Sequence, residues 1–151
     1  MPGMSDDAKT AYLQSVIEGS SKEEILLMLL DGALKFVGKA EAAFNEEKWD
    51  ELHNWLCRVQ NILLELALSL DLQAGEFAKQ LADIYGFIHG LLIQANVDRD
   101  REALEQSKRL ILDIRRMWAE AIEKNKAGGP QAKIVPPKKP DPAPKRINIT
   151  G

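Results

Sequence analysis

Four stretches of this chain carry apolar residues at steps of four and three, and that rhythm constrains the fold more than any other feature. The stretches are Leu26, Leu30, Ala33, Val37, Ala40 and Phe44; Leu52, Leu56, Val59, Leu63, Leu66 and Leu70; Phe77, Leu81, Ile84, Ile88, Leu91 and Ala95; and Leu104, Ile111, Ile114, Trp118 and Ile122. A helix of 3.6 residues per turn lines such positions up along one face. Four apolar seams joined by short connections predict an all-α fold, an antiparallel four-helix bundle. No strand-like alternation competes with that reading before the last quarter of the chain.

Local signals mark the joints. Ser20 with Glu23, or Ser21 with Glu24, makes a capping box that opens the first long helix. Asn45-Glu46-Glu47-Lys48, Gly75 and Asn96-Val97-Asp98 separate the others. Ahead of Gly19, residues 6–17 read as a short accessory N-terminal helix with Ala8, Ala11, Tyr12 and Val16 along one side. Between Pro2 and Pro130 there is no proline, and the other six prolines all fall within 130–144. The predicted organisation is an N-terminal cap segment at 1–19, the helical bundle at 20–125, and a disordered Pro/Lys-rich tail at 126–151.

Charge narrows the partners. The whole chain carries −3, yet residues 126–151 hold six basic residues against one acid, which leaves −8 on the body. An acidic body argues against nucleic acid, whose phosphates want a basic face. The single cysteine, Cys57, excludes an internal disulfide and fits a reducing compartment. The N-terminus has neither the basic flank nor the apolar stretch of a secretory signal, and no segment reaches the roughly 20 apolar residues of a membrane span. The expectation is a cytoplasmic protein without stable membrane insertion.

Catalytic chemistry is hard to place. The two histidines, His53 and His89, fall on different helices. Asp50 and His53 have the spacing of half a carboxylate-bridged metal site, but no second such pair exists. Cys57 has only Arg58 as a candidate activator. A histidine phosphotransfer bundle would want a lysine beside its histidine, which His89-Gly90 lacks. No enzyme activity, metal or cofactor is expected.

The informative surplus is apolar. Ile25-Leu26-Leu27-Met28-Leu29-Leu30 puts six such residues in a row, pointing to every side of a helix. With the seams turned inward, Leu27, Met28 and Leu34 point away from the core on the first long helix, and Cys57, Leu64 and Leu68 on the next. The third carries Gly75, Ala78, Ala82, Tyr85, Gly86 and Ile93 on its back, with His89 nearby. Gly86 and Gly90 inside a helix each cost about 1 kcal/mol relative to alanine, which close approach of another helix would offset. One short accessory helix cannot cover all three faces. The surplus therefore predicts a protein partner, with a client-free homodimer as the alternative.

Ordered segments of the chain resemble a known family. Ala11-Tyr12, the run from Ser20 to Phe36 (Ser-Ser-Lys-Glu-Glu-Ile-Leu-Leu-Met-Leu-Leu-Asp-Gly-Ala-Leu-Lys-Phe), Asn61-Ile62-Leu63-Leu64-Glu65-Leu66, Gly75 with Leu81-Ala82-Asp83-Ile84-Tyr85, Gln94-Ala95-Asn96, and Leu112-Asp113-Ile114-Arg115-Arg116-Met117-Trp118 are similar, in that order, to the flagellin export chaperones, FliS. The family often has tyrosine where Leu30 stands, and the Pro-rich tail is outside its pattern. The resemblance implies a cytosolic chaperone that binds the disordered C-terminal segment of flagellin, prevents premature polymerisation and delivers it to the flagellar type III export gate. A monomer or weak dimer is expected. The resemblance also implies that Tyr12 lies in a segment able to cover the client groove. The predicted groove comprises Tyr12, Leu27, Met28, Leu34, Cys57, Leu64, Leu68, Ala78, Ala82, Tyr85, Gly86, His89 and Ile93.

Overall fold

A computed structural model describes residues 22–126. The expected accessory helix, Tyr12, the serines of the capping box and the tail beyond residue 126 lie outside the described residues. Four α-helices follow one another: α1 (Lys22–Asn45), α2 (Trp49–Leu68), α3 (Glu76–Val97) and α4 (Arg101–Lys126), with a short 3-10 turn at Leu72–Ala74. There is no strand among the described residues. Each helix packs on its chain neighbours and α4 closes back onto α1, while the diagonal pairs, α1 with α3 and α2 with α4, keep their backbones farther apart. This is the expected antiparallel four-helix bundle.

The seams meet at the centre. Leu30, Ala33, Val37, Leu52, Leu56, Leu63, Leu81, Ile88, Leu104, Ile111 and Ile114 are all excluded from solvent. Each buried aliphatic side chain of this size contributes roughly 1.5–3 kcal/mol. Leu26, Leu70, Phe77 and Trp118, expected in the seams, are half-buried at the bundle ends and pack against the core. Ser107 occupies the core position between Leu104 and Ile111. Its hydroxyl donates to the Ala103 carbonyl at 2.8 Å, so this buried hydroxyl is matched within its own helix.

The joints have separate physical causes. α1 ends as Glu47 turns left-handed at φ 55°, with Lys48 N–H donating to the Ala43 carbonyl at 2.9 Å. Before α3, Asp71 accepts from Gln73 N–H at 3.0 Å, and Gly75 adopts φ 125°, a region that favours glycine. Asp100 opens α4 by accepting from Ala103 N–H at 3.2 Å.

Aromatic and charged contacts join the two turns at one end. Phe44 meets Trp49 edge-on, with centroids 5.3 Å apart. Arg99 stands 4.3 Å over Trp49 and Arg101 stands 4.5 Å over Phe44. Arg101 also donates to Asn45 Oδ1 at 2.7 Å. The α1–α2 and α3–α4 turns are thereby clasped together.

Candidate functional site: an apolar groove between the second and third helices

The groove is anchored where α2 and α3 exchange side-chain hydrogen bonds. Asn96 Nδ2 lies 2.7 Å from His53 Nδ1. The ring's Nε2 lies 3.6 Å from Cys57 Sγ, one helical turn along. With His53 opposite Asn96 and the helices antiparallel, Cys57, Leu64 and Leu68 run along one wall. Ile93, His89, Gly86 and Ala82 run along the other.

The walls are open to solvent. Leu64 is 51% exposed, Leu68 73% and Ile93 43%, with Leu72 and Val97 exposed at the two ends. Cys57, Ala82 and His89 are half-buried and Gly86 is exposed. A Cβ built on Gly86 meets nothing within 4 Å. At 1.5 Å per residue, the span from His53 to Leu68 makes a trough about 22 Å long. Leu64 and Leu68 stand one helical turn apart on the exposed side of α2, and Ile93 is exposed on the facing side of α3.

Not every expected groove residue falls here. Ala78 and Tyr85 were expected on the outer face of α3, yet they are 7% and 1% exposed and belong to the interior. Both lie towards α2, well inside the arc of α3 that its two neighbours cover. Leu27 and Leu34 sit on a different face. They share a stripe of α1 with Asp31 and Glu41, which pair with α4 through Arg115 at 2.6 Å and Lys108 at 3.1 Å. Both leucines are half-buried, and Leu34 packs against the core. Met28 points outward between the faces, 43% exposed. Tyr12 lies outside the described residues.

Sequence reasoning missed a cavity of about 310 Å³ at the end where α1 begins and α2 stops, lined by Leu26, Leu29, Leu66, Leu70, Tyr85 and Trp118 among others. Two polar atoms there, Tyr85 Oη and Trp118 Nε1, are shut off from solvent without a hydrogen-bond partner. Burial pushes the Tyr85 phenol up to about 12, with the nearby Trp118 N–H acting in the opposite direction. The Trp118 N–H is thus close enough to influence the phenol, but the pair misses hydrogen-bond geometry. The detectable signal was two aromatic residues with polar tips on the inner faces of α3 and α4.

No cluster of three or more His, Cys, Asp or Glu side chains able to hold a metal occurs among the described residues. No described helix is long and apolar enough to cross a membrane. An all-helical bundle with an open apolar trough has the form of an interaction protein. The chain belongs to the FliS family: the family described as "Flagellar protein FliS" matches residues 4–125. It is 30% identical over 114 residues to the flagellar secretion chaperone FliS of Bacillus subtilis (strain 168), covering 76% of this chain and 85% of that relative. The namesake from Escherichia coli (strain K12) is 26% identical, covering 73% of this chain and 82% of its own length. That from Vibrio cholerae is 25% identical, with 78% and 88% covered. These relatives are chaperones, not enzymes, and family membership sets aside the phosphotransfer alternative.

Proposed function

We propose that this protein is a cytoplasmic secretion chaperone that takes the C-terminal segment of flagellin into the α2/α3 groove. There it keeps the client from polymerising and holds it for the flagellar type III export apparatus. The observation that carries this reading is the open line of Leu64, Leu68 and Ile93 beside an unobstructed Gly86. A trough about 22 Å long suits an amphipathic helix of about 15 residues, which lays its apolar face inward.

Energetics require more than this groove. Ordering 15 disordered residues costs on the order of 15–30 kcal/mol in backbone entropy. At about 25 cal/mol per Å² of apolar area, offsetting that by burial alone takes roughly 600–1,200 Å². A single trough falls short, so the client wraps onto a second face, where Leu27, Met28 and Leu34 of α1 are available. The segment holding Tyr12 covers the groove when no client is bound, so that segment and client compete for one surface.

The test is the double substitution Leu64→Glu with Leu68→Glu. Both side chains are exposed, so helicity and unfolding midpoint should change little. Affinity for a flagellin C-terminal peptide, measured by calorimetry, should fall at least about 100-fold, or roughly 2.7 kcal/mol. Unchanged affinity would remove the groove from the account. Light scattering on the free protein tests the client-free homodimer: a stable dimer that dissociates in the double variant would mean that the groove serves self-association.

A further inference from the structure

We propose that the α1/α2 face is a second docking surface, built for an acidic protein segment that carries an apolar side chain beside its carboxylates. Phe36 of α1 and Trp55 of α2 stack across this face, with ring centroids 5.6 Å apart and planes 28° from parallel. Both rings are half-buried, their inner edges packed on the core. The Arg58 guanidinium lies 5.0 Å from the Trp55 ring and 5.7 Å from Phe36. Lys39 Nζ lies 5.9 Å from Trp55.

The rings attract the guanidinium charge without accepting its N–H donors as a carboxylate would. The contact restrains the side chain, so less freedom is lost when a carboxylate arrives, and the guanidinium fork suits a bidentate one. Four other cations have carboxylate partners: Lys48, Lys108, Arg115 and Arg116. Lys39 and Arg58, which share the Trp55 ring, have none among the described residues. They stand on a body that carries −8. Complementarity therefore points to a negative partner.

Beside the cations, the solvent-facing parts of the half-buried Phe36 and Trp55 rings offer apolar surface. An anionic membrane is the less suitable occupant, because so few cations are a weak hold for an acidic protein on acidic lipid. Trp55 and Arg58 lie on the α1 side of α2, whereas Cys57 and Leu64 lie on the α3 side. The two surfaces can thus be filled at once.

The probe is a short blocked peptide of alternating glutamate and leucine, titrated into the full chain while the three tryptophan indole N–H signals are followed by NMR. The Trp55 signal should shift while Trp118 stays fixed, and affinity should fall at least tenfold between 20 and 200 mM salt. The exposed double variant Lys39→Glu with Arg58→Glu should lose the shift, and the milder Lys39→Gln with Arg58→Gln should weaken it. Leu64→Glu with Leu68→Glu should bind the peptide as the unaltered protein does, which separates this inference from the client reading. Three results would overturn it: no Trp55 shift at millimolar peptide in low salt, equal binding of a lysine–leucine peptide, or a Trp55 response to phosphatidylserine vesicles in preference to the peptide.

Discussion

Tyr85→Phe isolates the most unusual group in the interior. The ring is 1% exposed and its hydroxyl has no hydrogen-bond partner. An unmatched buried polar group costs about 1–3 kcal/mol, and the nearby Trp118 N–H recovers part of that. Removing the oxygen while keeping the ring should therefore stabilise the fold by about 1 kcal/mol at pH 7. The pH dependence adds an independent check. The folded-state pKa is raised to about 12, above the ordinary tyrosine value of 10.0. The folded chain keeps a proton that the unfolded chain releases, so this contribution is fully present below pH 10 and is lost as pH rises towards 12. At about 1.4 kcal/mol per pH unit the loss is on the order of 2–3 kcal/mol. Urea unfolding followed by circular dichroism, from pH 7 to 11.5, compares the two proteins. Every other titrating group is common to both, so the difference between the curves belongs to Tyr85. The advantage of the phenylalanine variant should grow above pH 10. The reasoning fails if the difference is flat across that range, or if the variant is less stable by 1 kcal/mol or more at pH 7.

Other outcomes follow from the same structure. Gly86→Ala should stabilise the fold by about 0.5–1 kcal/mol, since the new methyl meets nothing and alanine favours the helix. It should also weaken flagellin peptide binding, and thermal melts with calorimetry check both. Leu56→Ala removes a fully buried side chain and should cost about 2–5 kcal/mol in urea unfolding. Gly75→Ala places a Cβ at φ 125° and should cost on the order of 1–3 kcal/mol, although space is free there. Deleting residues 1–19 should raise affinity for the flagellin peptide severalfold if the segment holding Tyr12 competes for the groove.

The bundle was legible because its apolar rhythm is a local property of each helix. All but one of the residues in the α2 seam, for example, are fully buried, and Leu70 is half-buried at its end. Ser107 escaped notice because a hydroxyl that bonds its own helix can pass as an apolar neighbour. Tyr85 and Ala78 were misplaced for a geometric reason. A narrow seam assumes contact along one line, but a helix in a closed ring of four has neighbours on two sides, and the covered arc is wider. Leu64, Leu68 and Ile93 are exposed as expected, because they lie outside even that wider arc. Leu27 and Leu34 could not be assigned to a groove from periodicity. Their face depends on α4 closing against α1, and the pairs Asp31–Arg115 and Glu41–Lys108 that mark this contact are 84 and 67 residues apart in sequence. The cavity under Tyr85 needs all four helices in place before it exists.

Cys57 permits the most direct test of the claim that the client lies between α2 and α3. It is the only cysteine in the chain and stands half-buried in the groove beside His53. A benzophenone maleimide attached there should, on illumination, crosslink the flagellin C-terminal segment, and excess unlabelled client should suppress the product. The same reagent on Lys108→Cys in a Cys57→Ser background would report from the α1/α4 face. Efficient crosslinking from Cys57 is the predicted result. Saturating client that crosslinks from position 108 but never from Cys57 would contradict the account.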